Sequence, residues 1–211
     1  MSPTASSFIH FDRTGFPYVE LASGLGASLF PLARAQVEHF LGDTPEEGEA
    51  LAERLLDPGP RESWRVPSAS TLERQFATSL GPEEVERVAR WMGPSYRLPT
   101  VQEWRNLDRE LGAISDADLQ AILADDRAYP AVRSIGEWLL RNRSGPVGMR
   151  VGLLREGLLE WVAMPEGGHG LFGRPRPSVY RLIQNPQIHE PLRPRTGARH
   201  PSFGARLVRS A

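Results

Sequence analysis

The chain contains no cysteine. Disulfides, thiolate metal sites and cysteine nucleophiles are therefore excluded at every position. It contains no lysine either, so all 25 basic residues are arginine. That excludes Schiff-base catalysis and the phosphate-binding lysine of a P-loop. Arginine-only usage is also what a GC-rich genome produces. No apolar run approaches the roughly 20 residues that a membrane-spanning helix needs. Residues 1–15 lack the basic start and apolar block of a signal peptide, so a cytoplasmic location is expected. No internal repeat or low-complexity linker divides the sequence. With 211 residues, 40% of them hydrophobic, and a net charge of −1, the chain is expected to fold as one soluble domain with a sizeable core.

What is present begins with Tyr96–Trp104, which reads Tyr-Arg-Leu-Pro-Thr-Val-Gln-Glu-Trp. Thr100 followed by Glu103 is a capping box, in which each side chain satisfies a backbone N–H at a helix start. Pro99 disfavours helix at Leu98. Trp104 falls where a hydrophobic staple closes over the helix start. Val101, Trp104, Leu107 and Leu111 continue with helical spacing. A strand-like approach, a turn and an amphipathic helix over 100–112 follow from these residues.

The same reasoning places other elements. Residues 8–21 read as a strand or hairpin turning at Thr14-Gly15. Helices are expected over Leu32–Leu41, Pro82–Met92, Ser115–Ala124 and Ala131–Leu140. Thr44-Pro45-Glu46-Glu47 reads as a further capping box, opening a helix through Leu51, Leu55 and Leu56. Gly148–Leu154 and Leu158–Met164 are expected to pair as a hairpin around Arg155-Glu156-Gly157. From residue 165 the chain reads as loop, apart from a short strand at Val179–Ile183.

Several segments carry a family resemblance. Arg97-Leu98-Pro99-Thr100 with Glu103-Trp104 is similar to the Arg-Leu-Pro-Thr-x-x-Glu-Trp segment of formylglycine-generating-enzyme-like domains, also called sulfatase-modifying-factor domains. Phe30–Leu41 resembles an early family helix. Gly157–Val162, with Glu160 and Trp161, resembles the family's "GNVWEWV", and Phe203–Arg209 resembles its terminal strand. The resemblance implies an α+β, C-type-lectin-like single domain with short twisted antiparallel strands, two main helices, long loops and terminal strands that pair as neighbours. A helical elaboration at about 42–92 and a loop-rich Arg/Pro region at about 165–203 then decorate that scaffold. Arg97, Pro99, Thr100, Glu103, Trp104, Glu160 and Trp161 would be structural.

The family's best-known activity needs a copper-binding cysteine pair, which a cysteine-free chain cannot supply. A second enzymatic branch, which acts on a non-haem iron, needs a His-x-x-x-His-x-Glu type pattern that this sequence does not contain. The resemblance therefore implies a pseudoenzyme: a noncatalytic protein-binding module, in bacteria a component of a multi-protein signalling or defence system. No cofactor is expected. Calcium binding in the family involves an Asn where this chain has Gly157.

Residues 165–211 hold eight Arg against Glu166 and Glu190, a net +6 in a chain of −1. Three readings fit this asymmetry: internal pairing with the acidic helices, a protein partner, or nucleic acid. Few aromatics interleave the basic residues, which disfavours nucleic acid. Arg174, Arg176, Arg193, Arg195, Arg199 and His169 are the expected contact residues, with a protein as the partner and no membrane. One alternative is a metal-dependent enzyme of the same fold, drawing on His10 with Asp12, or on His169, His189 and His200. The other is the variable protein of a diversity-generating system, which would favour Asn, Ser and Tyr over the Pro and Arg found at 174–203.

Overall fold

The N-terminal chain folds into a three-stranded meander because its turns are fixed locally. A computed structural model describes residues 9–47, 51–52, 75–141, 145, 147, 150–151, 158–173 and 190–210. Strand β1 (Ile9–Phe11) pairs antiparallel with β2 (Pro17–Glu20) across the expected Thr14-Gly15 turn. Asp12 Oδ1 closes that turn by accepting from Thr14 N (2.8 Å), Thr14 Oγ1 (2.6 Å) and Phe16 N (3.1 Å). Gly15 has φ +81°, and a Cβ there would stand 2.4 Å from the Arg127 carbonyl oxygen, so only glycine fits. Strand β3 (Gly26–Ser28) follows and pairs with β2.

The end of the chain returns to this sheet. Strand β8 (Val208–Arg209) inserts between β3 and β4 (Tyr96–Arg97), giving the order β1-β2-β3-β8-β4 with every pair antiparallel. A second sheet has the order β6-β5-β7. In it β5 (Leu159–Ala163) runs antiparallel to β6 (His169–Gly173) and parallel to β7 (Phe203–Gly204). The parallel pair departs from the all-antiparallel expectation.

Five α-helices have their ranges within the described residues: α1 (Arg34–Asp43), α2 (Pro82–Met92), α3 (Val101–Glu110), α4 (Asp116–Ala124) and α5 (Pro130–Arg141). The described part is thus a mixed α+β fold. No helix in it is long and apolar enough to cross a membrane. Strand alternation turns neighbouring residues of β2 to opposite faces, yet Val19 and Tyr18 are both buried. Val19 joins a core with Phe16, Leu107, Leu119, Ile135 and Val208. Tyr18 joins another with Val37, Val85, Met92, Trp161 and Leu207. The first sheet is therefore covered on both faces.

Further sequence expectations change. Thr44 does not open a helix; its hydroxyl donates back to the Phe40 carbonyl (2.6 Å) as α1 ends, and Pro45–Glu47 form a single 3-10 turn. Of the segment that was to follow, Leu51 and Ala52 are helical; Leu55 and Leu56 lie outside the described residues. Gly148–Leu154 is not a strand where it is described: Val147, Arg150 and Val151 are helical. Arg150 is 2% exposed, paired with Asp116 and donating to the Leu139 carbonyl, so packing on α4 and α5 decides its conformation. The hairpin instead joins β5 to β6 through Pro165–Gly168, where Gly167 (φ +91°) and Gly168 (φ +76°) supply the positive dihedrals of a tight turn. The reading of loop from residue 165 is thus corrected at His169–Gly173. The expected strand at Val179–Ile183 lies outside the described residues.

Candidate functional site

The Tyr96–Trp104 stretch forms the start of α3 as its residues dictate. Thr100 Oγ1 accepts from Glu103 N (3.2 Å), and Glu103 Oε2 accepts from Thr100 N (2.8 Å). Arg97 reaches the same carboxylate with both Nη atoms, each at 2.7 Å. The Arg97 guanidinium holds the Glu103 carboxyl below the ordinary range.

Trp104 carries the motif into the interior. Its Nε1 donates to Glu160 Oε2 (2.6 Å), and Arg206 Nε lies 3.1 Å from Glu160 Oε1. Glu160 is 1% exposed and Arg206 0%. The next residue on β5, Trp161, points to the other face and donates to the Leu80 carbonyl (2.8 Å). Glu160 therefore ties β5, α3 and the approach to β8 together, with Trp161 anchoring the same strand from its other face.

The expected contact residues divide into distinct environments. Arg199 donates to Glu84 Oε1 (2.8 Å), while Glu84 Oε2 accepts from Gly81 N (2.6 Å) at the start of α2. His169 Nε2 lies 2.8 Å from Glu86 Oε1, also on α2. Arg193 pairs with Glu166 in the β5–β6 turn. Arg195 is exposed. Arg174 and Arg176 lie outside the described residues. The basic C-terminal stretch thus pairs Arg199, itself exposed, with the buried Glu84 of α2 and Arg206 with the buried Glu160, while Arg193 and Arg195 are exposed as well.

The segment carrying these surface arginines is pinned at both ends. Leu192 exchanges two backbone hydrogen bonds with Leu171 of β6 (2.8 and 2.9 Å). At the other end Arg199 meets Glu84, and His200 Nδ1 accepts from Ser202 N (3.1 Å). Burial lowers the His200 pKa, which keeps the ring neutral and able to accept. Between the pins, Arg193, Arg195, Thr196 and Gly197 are exposed.

The residues considered as metal ligands are not gathered. Asp12 is occupied by Thr14, Phe16 and Gln36, whose Nε2 donates to Oδ2 at 2.8 Å. His10 faces Arg209 and Tyr96 instead. His169 and His200 have separate partners, and His189 lies outside the described residues. Among the described residues no three His, Asp or Glu side chains are placed to hold one ion. Gly157, too, lies outside them.

Sequence reasoning missed one cluster. His10 on β1 stacks on Tyr18 (centroids 5.4 Å), Tyr18 meets Tyr96 edge-on (5.3 Å), and Arg209 Nη1 lies 3.0 Å from His10 Nε2. The signal was present in the alternation of β1 and β2, which puts His10 opposite Tyr18. The partners Tyr96 and Arg209 depend on β8 entering the sheet, which short-range spacing does not reveal. No protein-family model, curated protein or solved structure matches the chain.

Proposed function

We propose that the chain is a noncatalytic protein-binding module on a C-type-lectin-like scaffold, and that residues 190–200 form its contact loop. One observation carries this reading: the loop is held at Leu192 by strand-like bonds to β6 and at Arg199 by the buried Glu84, while Arg193 and Arg195 stand exposed between. A loop fixed in this way loses little conformational freedom on docking, which favours binding. Its two guanidinium groups suit a partner with acidic side chains on its surface. The resemblance of the Arg97–Trp104, Gly157–Val162 and Phe203–Arg209 segments to formylglycine-generating-enzyme-like domains supports the scaffold assignment, and the absence of cysteine separates it from that family's oxidative chemistry.

Crosslinking in the native cell, followed by identification of the captured protein, tests the reading. A specific partner is expected with the unaltered chain and with Arg109→Glu, a charge reversal at the exposed end of α3. Arg193→Glu combined with Arg195→Glu should lose it. Capture that survives the loop reversal refutes the assignment of the contact surface.

A further inference from the structure

The first sheet presents a row of polar side chains that the binding loop does not use. Residues directly opposite one another in a sheet share a face. The pairs His10↔Tyr18, Tyr18↔Ser28, Gly26↔Arg209 and Arg209↔Tyr96, with Gly26 and Ser28 two apart, place His10, Tyr18, Gly26, Arg209 and Tyr96 on one face. Tyr18 is fully buried and floors the row; His10, Gly26, Tyr96 and Arg209 are half-buried at its edge. Gly26 brings no side chain over Arg209, and the space its Cβ would fill is bounded by Arg209 Cβ at 3.5 Å and His10 Cε1 at 3.9 Å.

Arg209 differs from the other inward-reaching arginines near it in sequence. Arg199 meets Glu84 and Arg206 meets Glu160, but among the described residues no carboxylate lies within ion-pair distance of Arg209. Its Nη1 lies 3.0 Å from His10 Nε2 and 3.3 Å from Nδ1. The Tyr96 hydroxyl is 3.4 Å from the same Nε2. Arginine only donates, so a hydrogen bond from Arg209 requires a His10 ring nitrogen that carries no proton. A half-buried cation matched to a neutral ring is an incomplete arrangement. An anion would complete it.

We propose that His10, Tyr96 and Arg209 form a binding site for a small oxyanion, a carboxylate or a phosphate group. Arg209 supplies fixed charge, the Tyr96 hydroxyl supplies a donor, and His10 takes up a proton to donate as the anion arrives. The other charged and titratable groups that act on His10 or the tyrosines are few. Asp12 spends its oxygens on Thr14, Phe16 and Gln36. Arg127 pairs with Asp125. Glu20, exposed on β2 and opposite Gly26, opposes an incoming anion from the rim.

The test follows the His10 ring signals by nuclear magnetic resonance, assigned by their loss in His10→Gln. Acetate and inorganic phosphate are titrated separately against chloride at matched ionic strength. A saturable shift with either is expected, and the tighter of the two names the class. Because binding takes up a proton at His10, acetate affinity should fall by up to about tenfold per pH unit as pH rises through about 6 to 8. Glu20→Gln should tighten binding, Arg109→Gln should leave it unchanged, and Arg209→Gln should abolish it; Arg209→Lys should retain part of it. A shift reproduced by chloride, or an acetate affinity that does not fall with rising pH in the unaltered protein, overturns the proposal whether or not Arg209→Gln folds. None of these readouts depends on the contact loop, so they stand or fall apart from the protein-binding reading.

Discussion

Arg206 and Arg193 belong to the same basic stretch of sequence and each meets a glutamate, but the surroundings make the two pairs different objects. Arg206 is 0% exposed and Glu160 1%, and the pair joins β5 to the segment leading into β8 with Trp104 as a third member. Arg193 and Glu166 keep 67% and 46% of their side chains in water. A buried pair is specific because either charge alone in the interior is costly, even where the pair as a whole contributes little net stability. An exposed pair is screened and exchangeable, and its members remain available to a partner. One end of the basic stretch thus fixes architecture, and the other is free to serve recognition.

The sharpest way to break this contrast is Glu160→Ala. It removes the buried carboxylate that both the Arg206 guanidinium and the Trp104 indole N–H meet. A loss of about 3–5 kcal/mol is expected, read from urea unfolding. A loss below about 1 kcal/mol would place Glu160 with the surface pairs. Thr100→Ala tests the outer side of the same region. It removes the acceptor for Glu103 N while Arg97 still holds Glu103, so about 1 kcal/mol is expected in the same measurement.

Two histidines extend the comparison to pH. His10, on β1 and facing the Arg209 side chain, and His200, at the end of the loop, both have pKa values lowered from 6.5. For His10 burial leads and Arg209 adds to it; for His200 burial acts alone. A histidine with a depressed folded pKa binds its proton more readily when unfolded. Its contribution is therefore fully present above about 6.5 and is lost as pH falls toward the folded pKa. Thermal unfolding between about pH 7.5 and 5 should show stability dropping below 6.5, with a shallower drop in His10→Gln and in His200→Gln. Salt separates the two: it screens the charges that act on His10, Arg209 and Arg127 lowering its pKa and Asp12 and Glu20 raising it, so the His10 pKa should respond to ionic strength, while the desolvation at His200 stays nearly unchanged.

What the sequence revealed follows the range of each interaction. The start of α3 was legible because Thr100 and Glu103 are three residues apart and Pro99 acts on its neighbour. Pro82–Met92 was legible because Val85, Val88, Ala89 and Met92 are a helical stripe and all are buried. Strand β3 was not, since Gly-Ala-Ser has no strand character of its own and becomes a strand by pairing with β2 on one side and β8 on the other. Gly148–Leu154 differs from the strand expected of it because a short apolar run fits helix and strand alike; at Arg150 and Val151, which are helical, the burial of Arg150 against Asp116 decides. In the candidate site, the surface arginines were chosen from charge count alone. That count could not say that Arg199 would be drawn to Glu84, nor that Arg209 would face an imidazole.

The smallest expected effect is the most informative about function. Arg193→Ala removes an exposed pair, and the loop keeps its other anchors at Leu192 and Arg199. Stability should change by no more than about 0.5 kcal/mol in urea unfolding. Arg195→Ala, which breaks no described ion pair, should change it even less. If instead Arg193→Ala costs as much as Thr100→Ala, Arg193 is bracing the β5–β6 turn through Glu166, and the loop belongs to the scaffold. If it costs nothing while partner capture weakens, the guanidinium is held at the surface for recognition. The two ends of the basic stretch are then different in kind, because only the buried end trades its charge for structure.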